Sequence, residues 1–366
     1  MKNVFKTLVL LILTFYIRLN WASAENKLIS EPQPPEINLS DNIRAIYFAS
    51  DFLYNEKKIR YLEDLIKNYD INAIVIDVKD SQIYLNDKMK IIHGRFKKLG
   101  IYTIARIVTF QDSKLAKEKP YLAIKMSNGQ FWYSGNKRWK RYWVDPASPE
   151  VWDYNINIAK KAIDIGFDEI QFDYIRFPTD GPKDKVFPVW NNKTPKIEVL
   201  KNFFAKLKIE LKNYNPKINL SIDVFGEILN YGEIKGIGQS LEIIQKYFDI
   251  ISPMAYPSHY RCGEFGYQDP NKEPYGVYFK TLKIGVARLK KLNSRAKIRP
   301  WIQAFSIKNI YNCGEKVNYG GKEIRQELQA GYDADIKGWM LWNPKSYFNT
   351  DSLNQKEPKN FRALNF

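Results

Sequence analysis

Histidine and cysteine are nearly absent from this chain, which has two of each in 366 residues. His93 and His259 lie far apart and no Cys or His pair stands at ligand spacing, so the sequence carries no metal-site signature. No glycine-rich loop follows the first β-rich run, where FASDFLYNEK stands instead, which argues against a nucleotide-binding, doubly wound open sheet. Basic residues never form a run dense enough to argue for nucleic-acid binding. No internal repeat is visible beyond an alternation of strands and helices, and nothing in the sequence calls for a cofactor. A membrane span of about 20 residues is not met either: LVLLILTFYI is interrupted after ten residues by Arg18.

That short run has another use. Lys2 and Lys6 precede it and ASA follows at 22–24, the pattern of an export signal cleaved before Glu25. The Pro-rich stretch 25–41 then reads as a linker. The expected location is secreted, periplasmic or cell-surface, with no stable span after cleavage. The net charge is +17, and three of those positives leave with Lys2, Lys6 and Arg18. A surface this basic suits acidic glycans, cell-wall polymers or lipid head groups, although a lysine-rich bias spread along the chain accounts for it equally well.

With 45% apolar and 15% aromatic residues the chain can bury a full core. Eight β-rich runs follow: 43–49, 72–78, 101–108, 168–174, 219–225, 249–256, 298–304 and 337–342. Amphipathic stretches such as EKKIRYLEDLIKNYD separate most of them. This alternation predicts an α/β fold, a single (β/α)8 TIM barrel over 42–350, with a C-terminal tail at 351–366.

The barrel reading explains an otherwise odd segment, GFDEIQFDYIRFP. Glu169, Gln171 and Asp173 alternate with Ile170, Phe172 and Tyr174, and a strand buried on both faces should not carry carboxylates. In a barrel that face points inward and its last residue emerges at the catalytic mouth. The same alternation puts Asp77, Arg106, Asp223 and Gln303 at inward strand ends, so three acids and an arginine are expected to converge.

The blocks INAIVIDVKD, VWDYNINIAKKAIDIGFDEIQFDYIRFPTDG, LSIDVFG, IISPMAYPSHY, IRPWIQAF and GWMLWN resemble the glycoside hydrolase family catalogued as domain of unknown function 4015. The resemblance spans nearly the whole chain after the linker and implies a TIM-barrel glycosidase fold with a carbohydrate substrate. Such chemistry usually needs two carboxyl groups, one ionised and one protonated. Asp173 and Asp223, on adjacent strands, suit the close spacing of a retaining enzyme, and Arg176 is expected to hold Asp173 ionised. The acid is Asp223 or Glu227; the sequence does not choose. A catalytic glutamate at the end of strand seven is not expected, because Gln303 stands there.

Candidate substrate contacts follow from position. Asp77 and Asp80 lie at the end of strand two, Arg106 on strand three, Trp301 and Gln303 on strand seven, and Trp342 on strand eight. The loop 127–145 between strands three and four carries Trp132 and Trp143 among interleaved lysines and arginines, which suits an acidic polysaccharide. Tyr256 and His259 follow strand six, and His259 is expected to bind a substrate hydroxyl or a neighbouring acid rather than act as the base. Cys262 and Cys313 lie in adjacent mouth loops, so a disulfide is expected. The leading expectation is an exported hydrolase or transglycosidase acting on a polysaccharide. The alternative is a glycan-binding or cell-wall-binding protein without catalysis, and a lyase or phosphodiesterase is disfavoured by the missing metal set.

Overall fold

The structure, a computed structural model, describes residues 42–136 and 138–353. The export signal, the whole of the linker and most of the C-terminal tail expected from the sequence lie outside these residues. The eight barrel strands are β1 (Arg44–Phe48), β2 (Ala73–Lys79), β3 (Tyr102–Val108), β4 (Glu169–Asp173), β5 (Asn219–Phe225), β6 (Ile250–Met254), β7 (Trp301–Gln303) and β8 (Trp339–Trp342). All neighbouring pairs are parallel, and β8 returns to β1 with Ile46 opposite Leu341, closing a (β/α)8 TIM barrel. Strands β2 and β3 are buried at every residue, as β-branched segments with a covered face on each side should be.

Strand seven departs from the sequence expectation of one run over 298–304. It is divided into Lys297–Ile298 and Trp301–Gln303, because Pro300 has no N–H to give to the ladder. The longer helices between strands are α1 (Glu56–Asn68), α2 (Asp87–Lys98), α3 (Pro149–Ile165), α4 (Lys196–Tyr214), α5 (Leu241–Tyr247), α6 (Pro274–Lys291) and α7 (Gly321–Asp333). Their starts are set by side chains: Asn55, Asn86 and Ser148 accept hydrogen bonds from first-turn N–H groups of α1, α2 and α3. In α1 the buried set Ile59, Leu62, Leu65 and Ile66 recurs at helical spacing and packs on the barrel wall. His93 on α2 is one of these packing residues. It meets Thr103 Oγ1 at 3.1 Å and the Phe167 ring at 4.6 Å, far from the mouth acids in role.

The barrel interior is polar in tiers. At its floor Glu169 pairs with Arg299 and accepts from Tyr102, whose hydroxyl in turn accepts from Asn219 at 3.1 Å. Above it the Gln171 amide donates to Ser252 at 3.4 Å. The top tier, at the C-terminal ends of the strands, holds the acids. A cavity of about 580 Å³ opens at the opposite end, lined by Tyr102, Glu169, Asn219 and Arg295 among others, and none of the mouth acids reaches it. Among the described residues no helix is long and apolar enough to cross a membrane.

Candidate active site

Arg106, inward on β3 and 4% exposed, is the centre of the mouth tier. Its Nη1 donates to Asp77 Oδ1 at 2.6 Å, its Nη2 pairs with Asp173 Oδ2, and its Nε lies 3.8 Å from Asp223 Oδ2. Register explains the convergence: Asp77 sits directly opposite Arg106 on the neighbouring strand, Asp173 ends β4, and Asp223 lies two residues before the end of β5. The sequence expectation that three acids and one arginine share one mouth is what the structure contains.

One positive charge serves three carboxyl groups, and burial disfavours the ionised forms of Asp77 and Asp223. Burial raises Asp77 to about 6, against the opposing pull of Arg106. Tyr47, on β1, donates its hydroxyl to the same carboxyl. Burial pushes Asp223 well above the usual carboxylate range, and the neighbouring negative charge of Asp173 pushes it further. One Asp223 oxygen accepts from the Trp301 indole at 2.7 Å, while Oδ2 has no hydrogen-bond partner among the described residues. Asp173 is held differently, by Arg106 on Oδ2 and by the Tyr174 N–H on Oδ1 at 2.6 Å. Tyr174 adopts φ 48°, a left-handed conformation unusual for an aromatic residue, and that turn aims its N–H back at the carboxylate.

Several expectations change here. Arg176 does not pair with Asp173; it donates to the Phe177 carbonyl and to Asp180 and lies over the Trp143 and Phe225 rings, each at 5.0 Å. Arg106 takes the role assigned to it. Trp132 and Trp143 are fully buried, so neither offers a flat face to a sugar. Their N–H groups are spent on the Pro182 carbonyl and Ser134, and they pack the long loop onto the barrel. Trp139 in that loop is the exposed ring, at 68%, with Arg138 and Lys140 beside it in sequence. Gln303 is fully buried and braces the loop after β6, accepting from Ser258 at 2.7 Å.

The other candidates keep mouth positions. Asp80 approaches Arg141 of the aromatic loop at 3.9 Å, joining the end of β2 to that loop. Trp342, half-buried, stands 5.0 Å from the Arg106 guanidinium and 4.1 Å from the Tyr47 ring. Tyr256 feels the charges of both Asp223 and Asp173, and its ring lies 5.3 Å from His259. Glu227 begins a short helix, Glu227–Tyr231, is half-buried and is raised above the ordinary range by burial. Cys262 and Cys313 form the expected disulfide, with Cα atoms 5.2 Å apart.

Sequence reasoning missed Tyr47 and Tyr174. Tyr47 was detectable, because it occupies the inward parity at the end of β1; attention to charged side chains alone passed over it. No group of three or more His, Cys, Asp or Glu side chains is disposed to hold a metal among the described residues.

A family model described as "Putative glycosyl hydrolase domain" matches residues 45–348. Among solved structures, a hypothetical protein from Ruminiclostridium thermocellum is 32% identical, covering 49% of this chain and 97% of its own, with a TM-score of 0.43. An alpha-galactosidase from Thermus thermophilus, solved with p-nitrophenyl alpha-D-galactopyranoside, is 13% identical with a TM-score of 0.51. That alignment covers 86% of this chain but 60% of the galactosidase, so the likeness is one of barrel fold. The galactosidase domain of an alpha-galactosidase-sucrose kinase is similar in the same way, at 12% identity and a TM-score of 0.50, over 86% of this chain and 39% of that one. No curated protein matches the chain.

Proposed function

We infer that this protein hydrolyses or transfers glycosidic bonds of a polysaccharide outside the cytoplasm, from one premise: the chain belongs to the glycosyl hydrolase domain family matched over residues 45–348. The observation that carries the mechanism is the shared guanidinium of Arg106, flanked by Asp173 and Asp223. Two carboxyl groups whose environments push them apart in acidity are the requirement of glycoside cleavage.

Asp173, paired and capped by an N–H, is the ionised member and faces the anomeric carbon, as nucleophile or as stabiliser of the oxocarbenium ion. Asp223, kept protonated by burial and by Asp173, is the proton source for the leaving oxygen. Its Oδ2 stands 3.8 Å from Arg106 Nε, too far for a hydrogen bond, as expected where both atoms carry hydrogen. Both acids meet one guanidinium, which favours the close spacing of a retaining mechanism.

The wider substrate and the location rest on other features. Exposed Trp139 among Arg138, Lys140 and Arg141 supports a polymer, and an acidic one, extending over the aromatic loop. The disulfide supports an oxidising compartment, in keeping with the N-terminal export pattern.

A second reading makes Glu227 the acid. It is favoured by access: the Asp223 side chain is 1% exposed, whereas Glu227 reaches solvent and has no hydrogen-bond partner among the described residues.

Saccharide release from a panel of bacterial and plant polysaccharides tests the function itself; binding without release would favour the non-catalytic alternative. Asp173→Asn should fold and bind normally while turnover falls about 10²-fold to 10⁴-fold. A folded, fully active Asp173→Asn protein would defeat the mechanism. Loss of the true acid is largely spared on an aryl glycoside with a good leaving group, so that substrate distinguishes Asp223→Asn from Glu227→Gln.

A further inference from the structure

The loop after β6 contains a chain of hydrogen bonds whose proton directions are fixed at one end. Glu327 on α7 accepts from the backbone N–H of Gln303 at 2.9 Å, anchoring that residue. The Gln303 Nε2 donates to the Phe305 carbonyl at 3.1 Å, which leaves its Oε1 as an acceptor only. Ser258 gives its single hydroxyl proton to that oxygen at 2.7 Å. Ser258 Oγ also meets His259 Nδ1 at 2.8 Å, and having no second proton it must accept there. The proton of the imidazole is therefore on Nδ1.

Among the described residues His259 Nε2 has no hydrogen-bond partner, and it is not one of the fully buried polar atoms that lack one, so the nitrogen keeps access to solvent. The ring stands in a wall of aromatics, 5.3 Å from Tyr256 and 6.4 Å from Phe305. Tyr256 lies within the field of Asp173 and Asp223, so His259 is one ring outward from the proposed catalytic pair.

We propose that His259 is a substrate-positioning residue whose Nε2 lone pair, kept bare by the relay from Phe305 through Gln303 and Ser258, accepts a hydrogen bond from a sugar hydroxyl at the subsite beside Tyr256. The proposal rests on the hydrolase reading and adds a selectivity to it. A neutral imidazole in this tautomer accepts and cannot donate at Nε2. It therefore selects a free hydroxyl at that position and disfavours an acyl, sulfate or carboxylate substituent, which brings only acceptors. Burial supports the neutral state, pushing the imidazole down to about 4.

Because the chain has only two histidines, ¹⁵N-histidine NMR of the full protein resolves the tautomer directly, with a His93→Gln variant giving the assignment. At pH 7 the expected signals are a protonated Nδ1 and a bare Nε2 for His259. The opposite tautomer, or a cationic ring, would overturn the relay. Ser258→Ala should remove the constraint and mix the two tautomers; an unchanged spectrum counts against the relay.

Kinetics on the polysaccharide that the wild-type protein cleaves test the contact. His259→Leu should raise KM about tenfold, the scale of one hydrogen bond, with kcat nearly unchanged, while His259→Gln, which restores an acceptor, should stay within about threefold of wild type. Equal KM for His259→Leu and wild type overturns the contact. Failure of the hydrolase reading is distinct: no polysaccharide releases saccharide, whereas the NMR result still decides the tautomer.

Discussion

Arg106 is the residue on which the mouth depends, because it is the shared cation for Asp77, Asp173 and Asp223. A single charge cannot neutralise three, so protons make up the difference. Asp77 offers the clearest test, since burial raises it to about 6 while in the unfolded chain it titrates near 3.9. A carboxyl raised in the folded state binds its proton more tightly there. Its stabilising contribution is therefore complete below about 4 and is lost as pH rises through about 6. Asp77→Asn, which keeps a neutral acceptor for Arg106, should remove this loss. The Tm of the variant should rise relative to wild type between pH 4 and pH 6, and parallel Tm curves would contradict the assignment.

At this scale the strand-end acids were legible, because side-chain alternation decides which residues enter a barrel and Asp77, Arg106, Asp173 and Asp223 all obey it. Partner choice was not. Arg176 is three residues from Asp173 in sequence, yet it turns away to the Trp143 and Phe225 rings, and Arg106, more than sixty residues earlier, takes its place. Sequence proximity predicts contact in a helix but not beyond the end of a strand, where Tyr174 at φ 48° redirects the chain. Trp132 and Trp143 misled for a related reason: an aromatic-rich loop of this length must pack against something, and composition does not say which rings are consumed in doing so.

At the scale of elements, β6 and β7 deliver the two loops that frame one side of the mouth. The loop after β6 carries Tyr256, His259 and Cys262, and the loop after β7 carries Phe305 and Cys313. Several ties join them: the disulfide, the Ile310 N–H donating to the Ser258 carbonyl at 3.0 Å and the Asn309 side-chain amide donating to the Tyr260 carbonyl at 2.9 Å, while Ser258 also donates to Gln303 at the end of β7. Adjacency in a barrel made the disulfide foreseeable from the order of strands alone, whereas the hydrogen-bond relay depends on rotamers that no periodicity encodes. The divided strand seven was written in Pro300. Closing a loop with a separation of 51 residues contributes about 4 kcal/mol by chain entropy. Peptide mapping without reductant should recover Cys262 and Cys313 in one cross-linked species, and Cys313→Ser should lower Tm by several degrees. Two free thiols in that unreduced sample would remove the tie and weaken the proposal of an oxidising compartment.

At the scale of the whole molecule, the polar face of β4 runs the full height of the barrel and does a different job at each level. Asp173 belongs to the mouth, Gln171 to the middle tier, and Glu169 to the floor. Glu169 is fully buried and pairs with Arg299, a residue 130 positions away on the segment leading into β7. Tyr102 of β3 donates to the same carboxylate, and Asn219 of β5 donates to the tyrosine hydroxyl. Four parts of the barrel wall are thus joined across its interior by one acid. Replacing that acid with an amide leaves the Arg299 guanidinium buried without its counter-charge, a change that costs about 3–5 kcal/mol when one partner of a buried pair is removed. Glu169→Gln should therefore lower Tm markedly, while saccharide release per folded molecule stays near wild type because the floor lies two tiers below Asp173. Asp173→Asn should show the reverse, lost turnover with little change in Tm. If instead Glu169→Gln abolishes turnover in a protein of unchanged Tm, the chemistry reaches the floor and the assignment of the mouth tier as the reacting level is wrong.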